Sequence, residues 1–299
     1  MLSTIIARTQ TNAPLLLILA TMGWGGNTIA SRLAVGEISP MLLICIRWTM
    51  VVALIVAIYG KDMKDAWPEL RSRLWWVFLM GGVGLSVFNA LLYVAAHSTT
   101  ALNLGIIQTT MPGMILLGSF IIFGSRINIQ QFIGVVIAFL GVVYVVTKGD
   151  WSQLITLGFN TGDILMLIAC VFYSGYTLGL RNRPKVSGMV MMGYLAIAAW
   201  ILTIPMASIE YMTTGVIWPG FKGWMILIYI ALMPSFLSQV FFMKAVDLIG
   251  PGPSGPYANL VPIFSAVMAV FILNESFQMY HLVALIFVFM GIYLFEIKK

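Results

Sequence analysis

A small set of polar and aromatic side chains interrupts the otherwise apolar segments of this chain, and these side chains are the first candidates for chemistry. Polar groups inside segments of hydrocarbon length are costly and face a bundle interior or a water-filled cavity, where their hydrogen bonds can select a solute. The alternative for each amide is a plain helix-to-helix hydrogen bond worth ~1 kcal/mol. We predict that a solute-binding cavity is lined by Trp24, Asn27, Asn89, Tyr93, Gln108, Tyr173, Tyr176, Ser235, Gln239, Tyr257 and Asn259.

Arg47 is the single charge placed well inside one of these segments. It lies about seven residues, or ~10 Å at 1.5 Å per residue, from the nearer end of its segment. Its guanidinium could bind the carboxylate of a small molecule such as an amino acid. Alternatively it snorkels outward, or pairs with a carbonyl or with an acid such as Glu37, and only fixes the position of the helix. The sequence leaves both alternatives open.

No pattern of catalytic residues accompanies these side chains. The sequence has no H-E-x-x-H metal motif, no nucleophile elbow, no phosphate loop ending in Gly-Lys-Ser and no paired intramembrane aspartates. The Gly- and Pro-rich stretch 250–256 lacks a lysine and is predicted to be a stiff cytoplasmic connection. Cys45 and Cys170 lie inside apolar segments, which argues against a disulfide scaffold or a metal cluster. We expect no enzyme activity, cofactor, metal or ATPase subunit; a membrane-embedded enzyme acting on a lipid or isoprenoid, or a channel, is kept as an alternative.

The elements that must position these residues follow from composition and segment length. Hydrophobic residues make up 61% of the 299-residue chain and charged residues 9%, which is too apolar for a water-soluble surface. Continuous apolar stretches of the ~20 residues needed to cross a ~30 Å hydrocarbon core favour helices over barrel strands, which alternate in polarity. The predicted fold is an all-α membrane protein with ten transmembrane helices, at 14–34, 41–59, 74–96, 102–123, 130–147, 161–180, 187–208, 223–243, 256–273 and 280–296.

The second half of the chain repeats the first. Residues 95–148 align without a gap on 245–298, and an offset of 149 then carries the first apolar segment onto the sixth. Each copy holds five predicted spans, and an odd number of spans forces the second copy to enter the bilayer upside down. We predict two inverted five-helix repeats, residues 1–149 and 150–299.

Helix breakers occur at matched positions of the two copies. Pro112-Gly113 lies in span four and Pro262 in span nine, and each proline removes a backbone donor and clashes with the preceding turn. In inverted-repeat carriers such paired breaks mark the binding site near the bilayer midplane. The alternative is that proline is tolerated in membrane helices because neighbours satisfy the freed carbonyl. Small residues at four-residue spacing also match, Gly26 and Ala30 in span one with Gly175 and Gly179 in span six, and they predict that both spans pack closely against their neighbours.

Basic residues indicate the orientation in the membrane. With the N-terminus inside, twelve Lys and Arg residues fall on the cytoplasmic side, whereas the opposite side holds Arg32, Lys148 and Lys222. This asymmetry accounts for the net charge of +6 without a nucleic-acid partner. We expect a monomeric multi-pass protein of the cell inner (plasma) membrane with both termini cytoplasmic, whose partners are the lipid bilayer and a small-molecule substrate.

Taken together, these features resemble the drug/metabolite transporter superfamily and, within it, the EamA-type ten-helix carriers. The features are the two five-helix copies, the Trp24-Gly-Gly-Asn27 stretch, Arg47, Pro112 and Pro262. Members often end span nine with a glutamate, which Glu275 matches, although its counterpart in the first copy is Ser125. The Met- and aromatic-rich spans look most similar to the YddG-type exporters of aromatic and other neutral amino acids. This resemblance implies export of such solutes by alternating access.

The acidic residues bear on what drives such export. All ten Asp and Glu residues fall near the ends of predicted spans, whereas a proton-coupled carrier of cations is expected to hold a carboxylate near the membrane centre. We therefore favour facilitated diffusion of neutral or zwitterionic solutes around a midplane cavity. Proton-coupled export of amphipathic drugs or metabolites is the alternative, and it would require a wet cavity that reaches Glu275 or Asp163.

Overall fold

The chain folds into a bundle of helices. A computed structural model describes residues 12–152, 160–249 and 254–296, which contain no β-strand. Both termini, and 250–253 of the predicted connection, lie outside these residues. In chain order the helices are α1 (Ala13–Leu33), α2 (Pro40–Ala95), α3 (Ala101–Phe123), α4 (Ile129–Val146), α5 (Thr161–Asn182), α6 (Gly188–Thr213), α7 (Phe221–Ile249), α8 (Tyr257–Leu273) and α9 (Met279–Glu296).

Seven of these helices, α1 to α7, are long and apolar enough to cross a membrane, while α8 and α9 are apolar but shorter. The chain is therefore a multi-pass helical membrane protein. The sequence predicts ten spans, whereas the described residues form nine apolar helices, because predicted spans two and three lie in the one continuous helical run of α2.

Helix α2 folds back on itself. A straight helix of its 56 residues would be ~84 Å long at 1.5 Å per residue, yet Arg47 near its start donates a 2.9 Å hydrogen bond to Tyr93 near its end. The reversal is at the 3₁₀ turn Arg71–Arg73, where Arg73 leaves helical geometry with φ −121° and ψ 20°. The run thus has two antiparallel arms, Pro40–Leu70 and 74–95, which correspond to predicted spans two and three.

The helices pack in a pattern that is nearly unchanged when the two halves of the chain are exchanged. Helix α1 lies against α7 and α8, and α5 lies against the second arm of α2 and against α3. The first arm of α2 packs on both α7 and α6, and the second arm of α2 packs on α6. Helix α4 packs on α9. Each of these contacts has its equivalent if α1 is exchanged with α5, the arms of α2 with α6 and α7, α3 with α8, and α4 with α9.

Four helices are irregular, and the irregular stretches correspond across the sequence repeat. The second arm of α2 contains a π-helical stretch, Phe78–Val87, and α7 contains another, Met233–Leu237; at the offset of 150 the second falls on 83–87. Helix α3 contains the 3₁₀ turn Gln108–Thr110, and α8 begins within the 3₁₀ turn Gly255–Asn259. The predicted breakers Pro112, Gly113 and Pro262 all lie in the first turn after these 3₁₀ stretches.

Glycines set the closest helix contacts, although one of them differs from the sequence prediction. A Cβ on Gly291 of α9 would lie 2.4 Å from the carbonyl oxygen of Gly134 in α4, so these two backbones touch. A Cβ on Gly26 would lie 1.9 Å from the hydroxyl of Tyr229, which agrees with the predicted close packing. The prediction for Gly175 is wrong: nothing lies within 4 Å of a Cβ there, because this residue is on the exposed side of α5.

Candidate functional site

A buried polar network surrounds Arg47 in the first arm of α2. Arg47 is only 6% exposed. Its Nε donates to Ser235 Oγ at 2.8 Å, and its Nη1 donates to Asn89 Oδ1 at 2.5 Å and to Tyr93 Oη at 2.9 Å. Tyr93 in turn donates to Asn27 Oδ1 at 3.0 Å. The network thereby connects α1, both arms of α2 and α7.

Two of these side chains lie beside or within the π-helical stretches, a feature that is frequent at functional sites. Asn89 donates through Nδ2 to the carbonyl of Leu85 at 2.7 Å, and Ser235 donates to the carbonyl of Ile230 at 2.6 Å. These bonds leave Asn89 Oδ1 and Ser235 Oγ free to accept hydrogen bonds from Arg47.

The charge of Arg47 has no acidic partner in the part of the chain that the structure describes. The ion pair found there joins Lys222 to Glu37 at 3.0 Å. The alternative in which Arg47 pairs with Glu37 is therefore wrong, because Glu37 is bound elsewhere. Neutral oxygens of Ser235, Asn89 and Tyr93 satisfy part of the guanidinium.

Two aromatic groups flank the centre of the bundle. Trp24 donates through Nε1 to the carbonyl of Pro234 at 3.1 Å, and its ring lies 5.3 Å from that of Phe242. Tyr173, which corresponds to Trp24 at the offset of 149, lies 4.9 Å from Phe88 and 5.5 Å from Tyr176. Phe88 is buried, and the other four rings are half-buried. The matched positions thus make equivalent contacts, α1 with α7 and α5 with the second arm of α2.

The other predicted residues do not join the Arg47 network. Gln108 donates to the carbonyl of Leu104 in its own helix at 3.1 Å. Tyr257 packs against the apolar cluster of α1 and α7 that contains Leu16. Gln239 and Asn259 are half-buried. A role for these four in binding stays a prediction.

Carboxylates bind helix N-termini at one end of the bundle, which we call the carboxylate end: the end formed by 32–41, 96–102, 160–163, 210 and 275. Glu275 accepts from the backbone amides of Ala101 at 2.8 Å and Leu102 at 3.0 Å. Glu210 accepts from Met41 at 3.1 Å and Leu42 at 3.0 Å. An anion at a helix N-terminus satisfies unpaired amides and complements the helix dipole. These acids hold helix ends together and are absent from the Arg47 network.

Residues in and beside the loop between α2 and α3 form several hydrogen bonds at the carboxylate end. Asp163, which is fully buried, accepts from Thr99 Oγ1 at 2.5 Å and from Asn103 Nδ2 at 3.2 Å. Arg32 donates to the carbonyl of Ala96. Burial, together with the positive charge of Arg32, lowers the pKa of His97 below its usual value and so favours the neutral imidazole. Among the described residues, no group of three or more His, Cys, Asp and Glu side chains is placed to hold a metal ion.

Comparison with known proteins decides the family. The model of the EamA-like transporter family matches the chain twice, over residues 11–147 and 160–297. The chain belongs to the EamA-like transporter family. The uncharacterized transporter YetK of Bacillus subtilis is 23% identical over 99% of this chain and 90% of its own length, and an uncharacterized transporter of Archaeoglobus fulgidus is 26% identical over 95% and 97%. A solved crystal structure shares the fold with a TM-score of 0.61 at 19% identity, covering 94% of this chain and 95% of that one.

The family assignment confirms the EamA part of the sequence prediction, and the names of the family and of its relatives indicate a transporter. Within this EamA-like transporter, the structure also brings forward residues that the sequence analysis missed. Tyr229 presses its hydroxyl against Gly26, Pro234 supplies the carbonyl for Trp24, and Trp48 is 2% exposed with its ring 5.3 Å from the guanidinium carbon of Arg47. A glycine opposite an aromatic residue leaves no periodic signal in a sequence. Pro234 could have been found, because it is a further proline inside a predicted span, 223–243.

Proposed function

We propose that this EamA-like transporter exports small neutral or zwitterionic organic solutes, aromatic and other neutral amino acids first among them, by alternating access. In this proposal the chain is a monomer in the inner (plasma) membrane with both termini cytoplasmic. The two arms of α2 cross separately, so that there are ten crossings in two inverted halves, 1–149 and 150–299. The double match of the family model and the packing pattern that survives exchange of the halves support this arrangement.

The observation that carries the proposal is the meeting of irregular helices from both halves at one polar network. The π-helical stretches of α2 and α7 lie at corresponding positions, and Arg47 bonds to Asn89 beside one and to Ser235 within the other. Irregular backbone at membrane depth is tolerated where it is buried in protein or lines a cavity. Carriers of inverted-repeat design bind their solutes at such interrupted helices, at the interface of the repeats.

The side chains around this interface favour neutral or zwitterionic solutes over cations. None of the acids in the described part of the chain hydrogen-bonds to Arg47. Glu275 and Glu210 bind helix N-termini instead. A cation would be repelled by Arg47 and would find no carboxylate there. Trp24, Tyr173 and Tyr176 offer half-buried aromatic faces that suit an apolar or aromatic side chain.

Proton-coupled export of amphipathic drugs or metabolites is the second candidate, and one observation favours it. Asp163 is fully buried in the first turn of α5 and has hydrogen-bond donors but no ion-pair partner among the described residues. Buried carboxylates in membrane proteins often take part in proton relays. Gain or loss of a proton at Asp163 would change the bonds that hold Thr99 and Asn103.

Uptake into liposomes tests both candidates. We expect saturable uptake of radiolabelled phenylalanine, methionine and threonine by the purified protein, equal with and without an imposed pH gradient. Uptake that requires the gradient, and loses this requirement in Asp163→Asn, would replace facilitated diffusion by proton coupling. Glu37→Gln is the matched control, since Glu37 is a surface acid of the same end bound to Lys222. Absence of uptake for all three amino acids would remove the amino-acid proposal.

A further inference from the structure

Arg47 is an uncompensated buried cation. Its side chain is buried, with 6% exposure, and it donates hydrogen bonds to neutral oxygens of Ser235, Asn89 and Tyr93. A charged side chain in this setting is expensive unless it is paired. Hydrogen bonds to neutral groups lower that cost without cancelling the charge. A negatively charged partner would compensate this charge.

A buried donor beside Arg47 has no acceptor: the indole Nε1 of Trp48 is unpartnered in the described part of the chain. The hydrogen bonds of Arg47 to Ser235, Asn89 and Tyr93 use Nε and Nη1 and do not involve Nη2. The Trp48 ring lies 5.3 Å from the guanidinium carbon. Buried polar groups are almost always hydrogen-bonded, so an unpartnered indole N–H beside an unpaired cation is a pair of groups that one anion would satisfy.

We propose that Arg47 binds the carboxylate of the transported solute through Nη2, with the Trp48 indole N–H as a second donor. Asn89, Tyr93 and Ser235 hold the other two guanidinium nitrogens, so the orientation of Nη2 is fixed before the solute arrives. A carboxylate accepts several hydrogen bonds at once and forms short, strong bonds with a guanidinium. The proposal rests on the transport function proposed above and narrows its solutes to those that carry a carboxylate.

The position of Arg47 also gives the carboxylate a way to act on the protein. Arg47 is in the first half of the chain and Ser235 is in the second, and their 2.8 Å bond joins the halves through α7. A carboxylate that draws the guanidinium toward itself competes with Ser235 for the same charge. Binding of the solute is thus linked to the contact between the halves.

Binding to three related probes tests the carboxylate site. Isothermal titration of the purified full-length protein is carried out with phenylalanine, with phenylalaninamide, which lacks the carboxylate, and with 3-phenylpropionate, which lacks the ammonium group. We expect the wild type to bind both carboxylates more tightly than the amide by about 10- to 100-fold, the value of one charge-assisted hydrogen bond. Arg47→Gln should abolish this preference, and Trp48→Phe should reduce it.

Arg32→Gln is the control, because it removes an arginine that binds a backbone carbonyl at the end of α1. It should keep the full preference for carboxylates. If Arg47→Gln does not fold, Arg47→Lys retains the charge but has no fork, and it should show a reduced preference. A carboxylate preference that is unchanged in both Arg47 variants overturns the proposal.

The same titrations separate this proposal from the transport function. Wild-type protein that transports phenylalanine but binds its amide equally well would overturn the carboxylate site and leave the transport function standing. Arg47-dependent binding of 3-phenylpropionate without uptake of any amino acid would support the site and remove amino-acid export. Binding of none of the three probes would overturn the carboxylate site, and only absence of uptake of phenylalanine, methionine and threonine would also remove amino-acid export.

Discussion

Replacing Glu275 by glutamine tests the role of the carboxylate end in holding the bundle together. Glu275 accepts from two amides, those of Ala101 at 2.8 Å and Leu102 at 3.0 Å, at the N-terminus of α3. Glutamine has nearly the same shape but keeps one acceptor oxygen and loses the negative charge. The substitution therefore removes the electrostatic part of the contact with little change in packing.

The expected loss follows from the geometry of this contact. An anion at a helix N-terminus contributes ~0.3–1 kcal/mol at an exposed site and up to ~2 kcal/mol when partly buried. Glu275 is half-buried and bonds to two amides, so Glu275→Gln should cost about 1–2 kcal/mol. Glu210→Gln should behave similarly, because Glu210 binds Met41 and Leu42 in the same way.

Thermal unfolding in detergent, followed by tryptophan fluorescence at one fixed heating rate, measures this loss. One kcal/mol corresponds to about 2–4 °C for chains of 150–250 residues, so Glu275→Gln should lower the midpoint by a few degrees. Glu37→Gln is the control: its partner Lys222 has a side chain 59% exposed, and surface ion pairs contribute ~0–1 kcal/mol. Equal midpoints for Glu275→Gln and Glu37→Gln would refute the capping role.

Four further substitutions probe helix packing and the polar network. Gly291→Ala should lower the thermal midpoint, because its Cβ would lie 2.4 Å from a backbone oxygen and overpacking costs ~1–3 kcal/mol. Gly175→Ala should gain up to ~1 kcal/mol of helix propensity, because nothing lies within 4 Å of a Cβ there. A Gly175→Ala variant less stable than the wild type would contradict this packing. Gly26→Ala should weaken phenylalanine binding by displacing Tyr229, and an unchanged titration would contradict this. Tyr93→Phe removes a buried hydroxyl that accepts one hydrogen bond and donates another. The free energy of unfolding should therefore fall by ~1–3 kcal/mol, and the thermal midpoint should fall with it. An unchanged midpoint would show that the hydroxyl is not needed.

The composition of the polar network could be predicted from the sequence. In a chain that is 61% hydrophobic, a polar group inside an apolar stretch is conspicuous, and its cost in lipid drives it toward other polar groups. Five predicted residues meet in one network for this reason: Asn27, Arg47, Asn89, Tyr93 and Ser235. Gln108 does not join this network, because its amide donates to the carbonyl of Leu104 on its own helix; its role in binding stays a prediction.

Features that depend on the path of the chain could not be predicted in this way. Hydropathy places two spans within 40–95, but it does not show that a 3₁₀ turn, rather than a loop, reverses the chain at Arg71–Arg73. Matched glycines predict equal packing at Gly26 and Gly175, yet only Gly26 faces another helix. Which side of a helix faces a neighbour depends on the rotation of that helix, and the π-helical stretches change this rotation locally.

The two halves of the chain share a backbone design at the ends of α3 and α8 but differ in the side chain that follows. Gly124 and Asn274, which correspond at the offset of 150, both end their helices in the left-handed conformation, with φ 63° and 54°. The next residue is Ser125 in one case, whose hydroxyl reaches only Ser119, and Glu275 in the other, which spans to the start of α3. Only the glutamate is long and charged enough to tie two helices. A movement that separates α8 from α3 at the carboxylate end must therefore break two charge-assisted bonds, and the described contacts of Ser125 impose no equivalent cost at the opposite end.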